Sequence, residues 1–242
     1  MAKKKNSNYV TEKTKQKTLE REKAKRAQKV KRIATPIVIT VVAVALAVLL
    51  VFGIIGLVNL IKNNSSTPDL TVTHHASIEI ENYGTLHVEL YGKEAPITVA
   101  NFVKLAESGF YDDTVFHRII DGFMAQGGGY DKTGKPKDSA TIKGEFEING
   151  VRNRIKHTEG ILSMARVGGA PNSASSEFFI VEATTASNST SLDGQYAAFG
   201  KVTSGMDIIH KICEEIENTD DDGGVAKENR PVIKSISIHA AH

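Results

Sequence analysis

Four short blocks hold the side chains that could do chemistry: VFHRIIDGFMAQGG at 115–128, GILSMA at 160–165, PNSASSEFFI at 171–180 and LDGQYAAFGK at 192–201. The first sets Arg118 among apolar residues, with Phe123, Met124 and Gln126 shortly after it. Arginine offers a permanent charge on a rigid fork of donors. From residue types alone, it could equally be a surface residue beside a core strand. His117 reads as a hydrogen-bonded structural histidine rather than a base, and Phe178, out of phase with Phe179, as core. His74, His75, His239 and His242 could bind metal, but they are isolated at expected linker and tail positions, so no metal site is expected. Asp220-Asp221-Asp222 reads as a solvated acidic loop rather than a calcium site. Cys213 is the only cysteine, so no internal disulfide can form.

The elements that must position these blocks are mostly strands. Residues 76–81 and 85–90 alternate polar and apolar around Asn82-Tyr83-Gly84, a hairpin signal. Residues 95–108 read as a helix with Pro96 in its first turn, an apolar stripe of Val99, Phe102, Val103 and Ala106, and Gly109 as its stop. Short β-like runs follow at 115–120, 123–126, 161–165, 178–182 and 197–202. A second helix is expected over 206–215, with Ile208, Ile209 and Ile212 on one side, and a last strand over 232–238. Loops are expected at 127–139, 166–176, 183–191 and 218–229. Many short strands, two helices and glycine-rich turns suggest a closed antiparallel barrel with helices over its ends. Asn188-Ser189-Thr190 forms a glycosylation sequon, read as accidental.

Charge is distributed unevenly. Residues 1–32 carry 13 of the 30 Lys/Arg and three of the 28 Asp/Glu, about +10, which leaves about −8 on the remainder. The basic pI therefore belongs to a tail and implies no nucleic-acid partner. The tail could form a basic helix against anionic lipid; a mobile segment that only sets topology is the preferred reading. Residues 33–61 then run for 29 positions without a charge. A bilayer core needs about 20 apolar residues as a helix. The run is about twice a usual signal-peptide core and ends without a small-residue cleavage site, which favours an uncleaved signal anchor. Basic residues crowd its N-terminal side while only Lys62 follows closely, so the positive-inside bias puts the tail in the cytoplasm and the rest outside. The expected organisation is a cytoplasmic tail (1–32), a membrane span (33–61), a polar linker (62–75) and a catalytic domain (76–240), single-pass in the cell membrane with the domain extracytoplasmic.

In order and spacing, the four blocks resemble the cyclophilin family of prolyl isomerases over about 77–239, and Gly109-Phe110-Tyr111-Asp112 strengthens the match. The resemblance implies a mainly all-β fold, a closed eight-stranded antiparallel barrel capped by two helices. Here one transmembrane helix would precede it. It implies that Arg118 is the catalytic arginine and that Phe123, Met124 and Gln126 line the groove. Ala165 and Arg166 would flank the substrate backbone, Phe179 and Leu192 would form the floor and wall of a proline pocket, and Tyr196 would stand where many members have histidine. Substrates would be proline-containing polypeptides, exported or on the cell surface. No cofactor is implied, and the protein is expected to be a monomer.

Rotation about X-Pro is opposed by amide resonance worth ~18–20 kcal/mol. No bond breaks, so neither nucleophile nor metal is required; the catalyst must favour the twisted amide, whose nitrogen is pyramidal and basic. A guanidinium near that nitrogen does so. Three departures from the family pattern matter. Glu177 replaces the usual glutamine before the Phe pair, and is expected to pair with Arg166 or to weaken the field of Arg118. The 166–170 segment is two residues longer than in eukaryotic members. Ser191 stands where cyclosporin-sensitive members carry tryptophan, so weak cyclosporin binding is expected. Glu177 is also the one feature favouring a different class of function, a proline-peptide-binding module or holdase with little turnover. An adhesin-like or immunomodulatory surface role is neither supported nor excluded.

Overall fold

The computed structural model describes Lys23, Lys25, Arg26, residues 70–185 and residues 191–241. The expected membrane span, the sequon, and most of the tail and linker lie outside the described residues. The chain divides into two units, Met1–Thr67 and Pro68–His242, and everything below concerns the second.

Among the described residues, eight strands close an antiparallel barrel: β1 (His74–Ile80), β2 (Gly84–Leu90), β3 (Thr114–Ile120), β4 (Met124–Asp131), β5 (Ile161–Met164), β6 (Phe178–Val181), β7 (Ala198–Ser204) and β8 (Val232–Ala240). Their order around the barrel is β1-β2-β7-β5-β6-β4-β3-β8. Helix α1 (Pro96–Glu107) and helix α2 (Met206–Glu215) complete the expected architecture. Side chains alternate between the two faces of a strand. Ile78, Leu86, Phe116, Ile119, Ala125, Leu162, Phe178, Ile180, Phe199 and Ile236 therefore fill the interior, together with residues from both helices. A second apolar cluster places Met124, Ile161, Phe179, Val181 and Ala198 at the opposite positions on β4 to β7, joined by Leu192 from the segment before β7.

Several boundaries differ from the sequence reading, each for a physical reason. β1 begins at His74, so His74 and His75 are strand residues rather than linker; His75 pairs in register with His239 of β8. β4 continues through Gly127-Gly128-Gly129, which composition places in a loop. These glycines are close-approach residues. A Cβ at Gly127 would lie 2.8 Å from the Val115 carbonyl, and one at Gly129 would collide with the Glu177 side chain. On α1, Thr98 and Leu105 join Val99, Phe102 and Ala106 as buried residues, and Val103 is only partly buried. Cys213 of α2 is buried against the same core, and burial pushes its thiol up to about 12.

Helix α1 is capped from a distance. Its N-cap residue, Ala95, offers no side-chain acceptor, and Pro96 has no N–H to satisfy. The buried carboxylate of Glu145 accepts instead from Ile97 N (3.0 Å), Thr98 N (2.8 Å) and Thr98 Oγ1 (2.7 Å). A negative charge there also meets the positive end of the helix dipole. The far side of α1 then holds a segment that matters for function, because Asn101 Nδ2 donates to Ser175 O (2.6 Å). Glu145→Ala leaves donors buried without an acceptor. It is expected to lower stability by about 2 kcal/mol, read as a shift in the urea midpoint at unchanged m-value.

Candidate active site

Arg118 reaches the surface because β3 is irregular at His117. In register, Phe116 faces Gly127 and Arg118 faces Gln126, so two steps on β3 match one on β4. Residues two apart normally share a face. This bulge instead sends Phe116 into the interior and Arg118 to the outer side. On the other edge of β3, the 223–225 segment takes over the pairing. Ile119 N donates to Gly223 O (2.8 Å) and Val225 N donates to His117 O (3.1 Å).

From Arg118, one row of cross-strand partners crosses the outer face: Arg118 opposite Gln126, Gln126 opposite Phe179, and Phe179 opposite Ser163. A groove of about 510 Å³ lies over the Arg118, Gln126 and Phe179 members of this row. All ten residues singled out in the sequence line it: Arg118, Phe123, Met124, Gln126, Ala165, Arg166, Glu177, Phe179, Leu192 and Tyr196. Val167, Ser173 and Ser175 line it too, with no signal in the sequence reading. Val167 is an exposed apolar residue on the rim, and only its place in the 166–170 extension could have drawn attention to it.

The guanidinium is held by neutral acceptors. Nε donates to Asp222 O at 2.7 Å, and Nη1 lies 3.5 Å from Gln126 Oε1 and 3.7 Å from Met124 Sδ. The 218–225 loop thus has a task that its acidic composition does not suggest. Asp220 Oδ1 accepts from Gly224 N (2.8 Å), and Gly223 adopts φ +86° close to the Ile119 carbonyl, so the loop presents the Asp222 carbonyl to Arg118.

Glu177 meets neither Arg166 nor Arg118 directly, which corrects the expected pairing. Its Oε2 accepts from Gln126 Nε2 at 2.8 Å and stands 3.6 Å from His117 Nε2. Burial raises its pKa above the usual carboxylate range, and the Gln126 bond opposes that rise. Burial, then the charge of Arg230, push His117 down to about 4, so it stays neutral near pH 7. Arg166 is occupied elsewhere. Its Nε donates to Gln195 O (2.9 Å), and its guanidinium stacks 4.6 Å from the centre of the Tyr196 ring.

The apolar floor rests on a buried polar pair that the sequence reading missed. His157 lies under Phe179, rings nearly parallel with centres 6.1 Å apart. Its Nδ1 meets Asp193 Oδ1 at 3.0 Å, and Nε2 meets Ser163 Oγ at 2.9 Å. Burial lowers the His157 pKa. Burial of Asp193 would raise that carboxyl, but bonds from the His157 backbone and ring outweigh it and hold it low. An ionised Asp193 is acceptor-only, so Nδ1 carries the proton and Nε2 accepts from Ser163. Serine, histidine and aspartate in this order resemble a nucleophilic triad. Ser163 and His157 are both buried away from the groove, however. The trio therefore fixes Phe179 and the turn carrying Leu192. Among the described residues, no group of three or more His, Cys, Asp or Glu is placed to hold a metal.

A family model for the cyclophilin type peptidyl-prolyl cis-trans isomerase matches residues 75–242. The chain is 44% identical over 134 residues to a peptidyl-prolyl cis-trans isomerase of Acinetobacter baylyi, covering 54% of this chain and 68% of that one. It is 45% identical over 130 residues to peptidyl-prolyl cis-trans isomerase-like 1 of Neurospora crassa, covering 53% and 75%. A cyclophilin type isomerase of Cryptosporidium parvum, crystallised in the presence of the dipeptide Ala-Pro, superposes with a TM-score of 0.57. That match has 32% identity and covers 69% of this chain and 99% of the other. With the barrel, the groove and these relatives in agreement, the chain belongs to the cyclophilin family and is a peptidyl-prolyl cis/trans isomerase.

Proposed function

We propose that this isomerase acts on X-Pro bonds of exported or cell-surface polypeptides, with Arg118 as its catalytic residue. The observation that carries the reading is the convergence of one guanidinium with Phe123, Met124, Phe179 and Leu192 on a single groove. The proline ring seats on the apolar residues and is held while the preceding carbonyl turns. As resonance is lost, the amide nitrogen becomes basic, and Arg118 donates to it from a fixed position. Its orientation is set before substrate arrives by Asp222 O and Gln126. A preset dipole needs no reorganisation at the barrier, which is why such donors act mainly on kcat. The Ala-Pro dipeptide used with the Cryptosporidium relative is the chemical class of ligand expected here.

Export rests on the sequence. The uncharged run at 33–61 and the Lys/Arg excess before it are the supports for a single-pass anchor with the catalytic unit outside. Proteolysis of intact cells is expected to remove the domain while sparing an epitope in residues 1–32. Loss of the tail epitope first would reverse the topology.

Arg118→Ala is expected to lower kcat/KM on an Ala-Pro peptide by roughly 100-fold or more at unchanged thermal midpoint. Turnover like the wild type would remove Arg118 from the catalytic role. If the wild type binds Pro peptide tightly but gives no exchange enhancement by NMR, the holdase reading takes its place. Because Ser191 offers neither indole surface nor its N–H, inhibition by cyclosporin is expected only at concentrations well above those that block a tryptophan-bearing relative assayed in parallel.

A further inference from the structure

A polar chain runs along one side of the groove, from Arg118 through Gln126 to Glu177. An amide has one accepting end and one donating end, and Gln126 is held at both. Its Nε2 faces the carboxylate of Glu177 at 2.8 Å, and its Oε1 faces Arg118 Nη1 at 3.5 Å. The opposite rotamer would set NH₂ against guanidinium, donor against donor, and carbonyl oxygen against carboxylate. Both contacts would then repel. A neutral amide at position 177 could serve either orientation of Gln126; an ionised carboxylate permits only one.

We infer that Glu177 is a positioning residue that locks the Gln126 amide with its oxygen toward Arg118, so that isomerase turnover depends on the ionisation of this one carboxylate. This deepens the proposed role of Arg118 and rests on it.

The surroundings of Glu177 leave it the titrating member of the chain. From β3 it faces His117, which is neutral down to about pH 4, and beyond it Arg118. From β4 it faces Gln126 and Gly129, while Tyr130 packs at a tilt against His117 with ring centres 4.6 Å apart. Lys137, whose backbone pairs with Gly129, turns its ammonium to the carbonyls of Phe110 and Asp112 instead. Arg166 is engaged with Gln195 O. Glu177 thus has no ion-pair partner charged at neutral pH among the described residues, and burial keeps its proton affinity above that of an ordinary carboxyl. As pH falls, it protonates before His117. The carboxyl then becomes a donor as well as an acceptor, and the amide lock is released. The proline pocket is lined by apolar side chains, and His157, the titratable group beneath Phe179, is buried with its pKa lowered, so substrate affinity should hold while the guanidinium loses its fixed aim.

The test is the pH profile of cis/trans exchange on an Ala-Pro peptide, measured by NMR with the full-length wild type and with Glu177→Gln from neutral pH down to the lowest pH at which both stay folded. For the wild type, kcat should fall by roughly two- to tenfold toward acid, the equivalent of one net hydrogen bond, at nearly constant KM. The Gln126 side-chain NH₂ resonances should titrate in parallel. Glu177→Gln should be flat in both readouts. A wild-type kcat that does not change with pH overturns the inference, as does an acid limb that survives in Glu177→Gln or a fall carried by KM alone. Should the variant fail to fold, Gln126 resonances that do not titrate in the wild type overturn it on their own. No exchange enhancement at neutral pH would instead overturn the isomerase reading, and this inference with it.

Discussion

Between Phe116 and Arg118 the pairing of β3 with β4 shifts by one residue, and the active groove depends on that shift. Without it, alternation would put both side chains on one face. Either a guanidinium would enter the barrel interior, at a desolvation cost of several kcal/mol, or Phe116 would leave the aromatic cluster it forms with Phe178. The bulge reconciles the two demands within three residues. It also leaves a gap on the outer edge of β3 that β8 does not fill. The 223–225 segment fills it, and this brings the Asp222 carbonyl to Arg118. One backbone irregularity therefore re-aims the charge and creates the seat that holds it.

The same register carries the rest of the site. Phe178 and Phe179 are adjacent, so they face opposite sides: one packs edge-on against Tyr111 and Phe102, the other roofs His157 and meets Tyr196 edge-on. Interior packing and groove floor are thus two faces of one strand, and neither can shift without the other. Arg118, meanwhile, keeps its charge available because its partners are neutral. A carboxylate in direct contact would partly cancel the field of the guanidinium over the groove. Here Glu177 acts at one remove, through an amide.

Much of this was legible in the chain itself. Period-two alternation placed most of the strands, Pro96 marked the start of α1, and the four blocks, with Arg166 just beyond the second, held the ten residues singled out for the groove. What was hidden has a common physical origin. The bulge at His117 breaks the periodicity that a sequence reading depends on. Gly127-Gly128-Gly129 looks like a loop because composition does not report crowding; its glycines are forced by Val115, Tyr111, Phe178 and Glu177. The Glu145 cap bridges 47 residues of sequence. Asp222 contributes a carbonyl, which every residue type possesses. Side-chain identity signals chemistry, but it carries little trace of contacts made by backbone or across long separations.

These differences in constraint divide the groove into a floor that resists change and a rim that accepts it. Along the floor, Gly127 and Gly129 have no room for a methyl group, and buried Ser163 and His157 form a hydrogen-bonded chain with half-buried Asp193. A partly satisfied buried network is costlier than an apolar replacement, so single changes there act on the whole set. On the rim, a Cβ at Gly168 or Gly169 would meet nothing within 4 Å, although Gly169 adopts φ +77°, and Val167 stands largely in solvent. Substitution of Val167 or Gly168 alters what the groove touches beyond the proline without disturbing what holds it. The rigid floor and the open 166–170 rim are thus held by different constraints, one by crowding and buried hydrogen bonds, the other by neither.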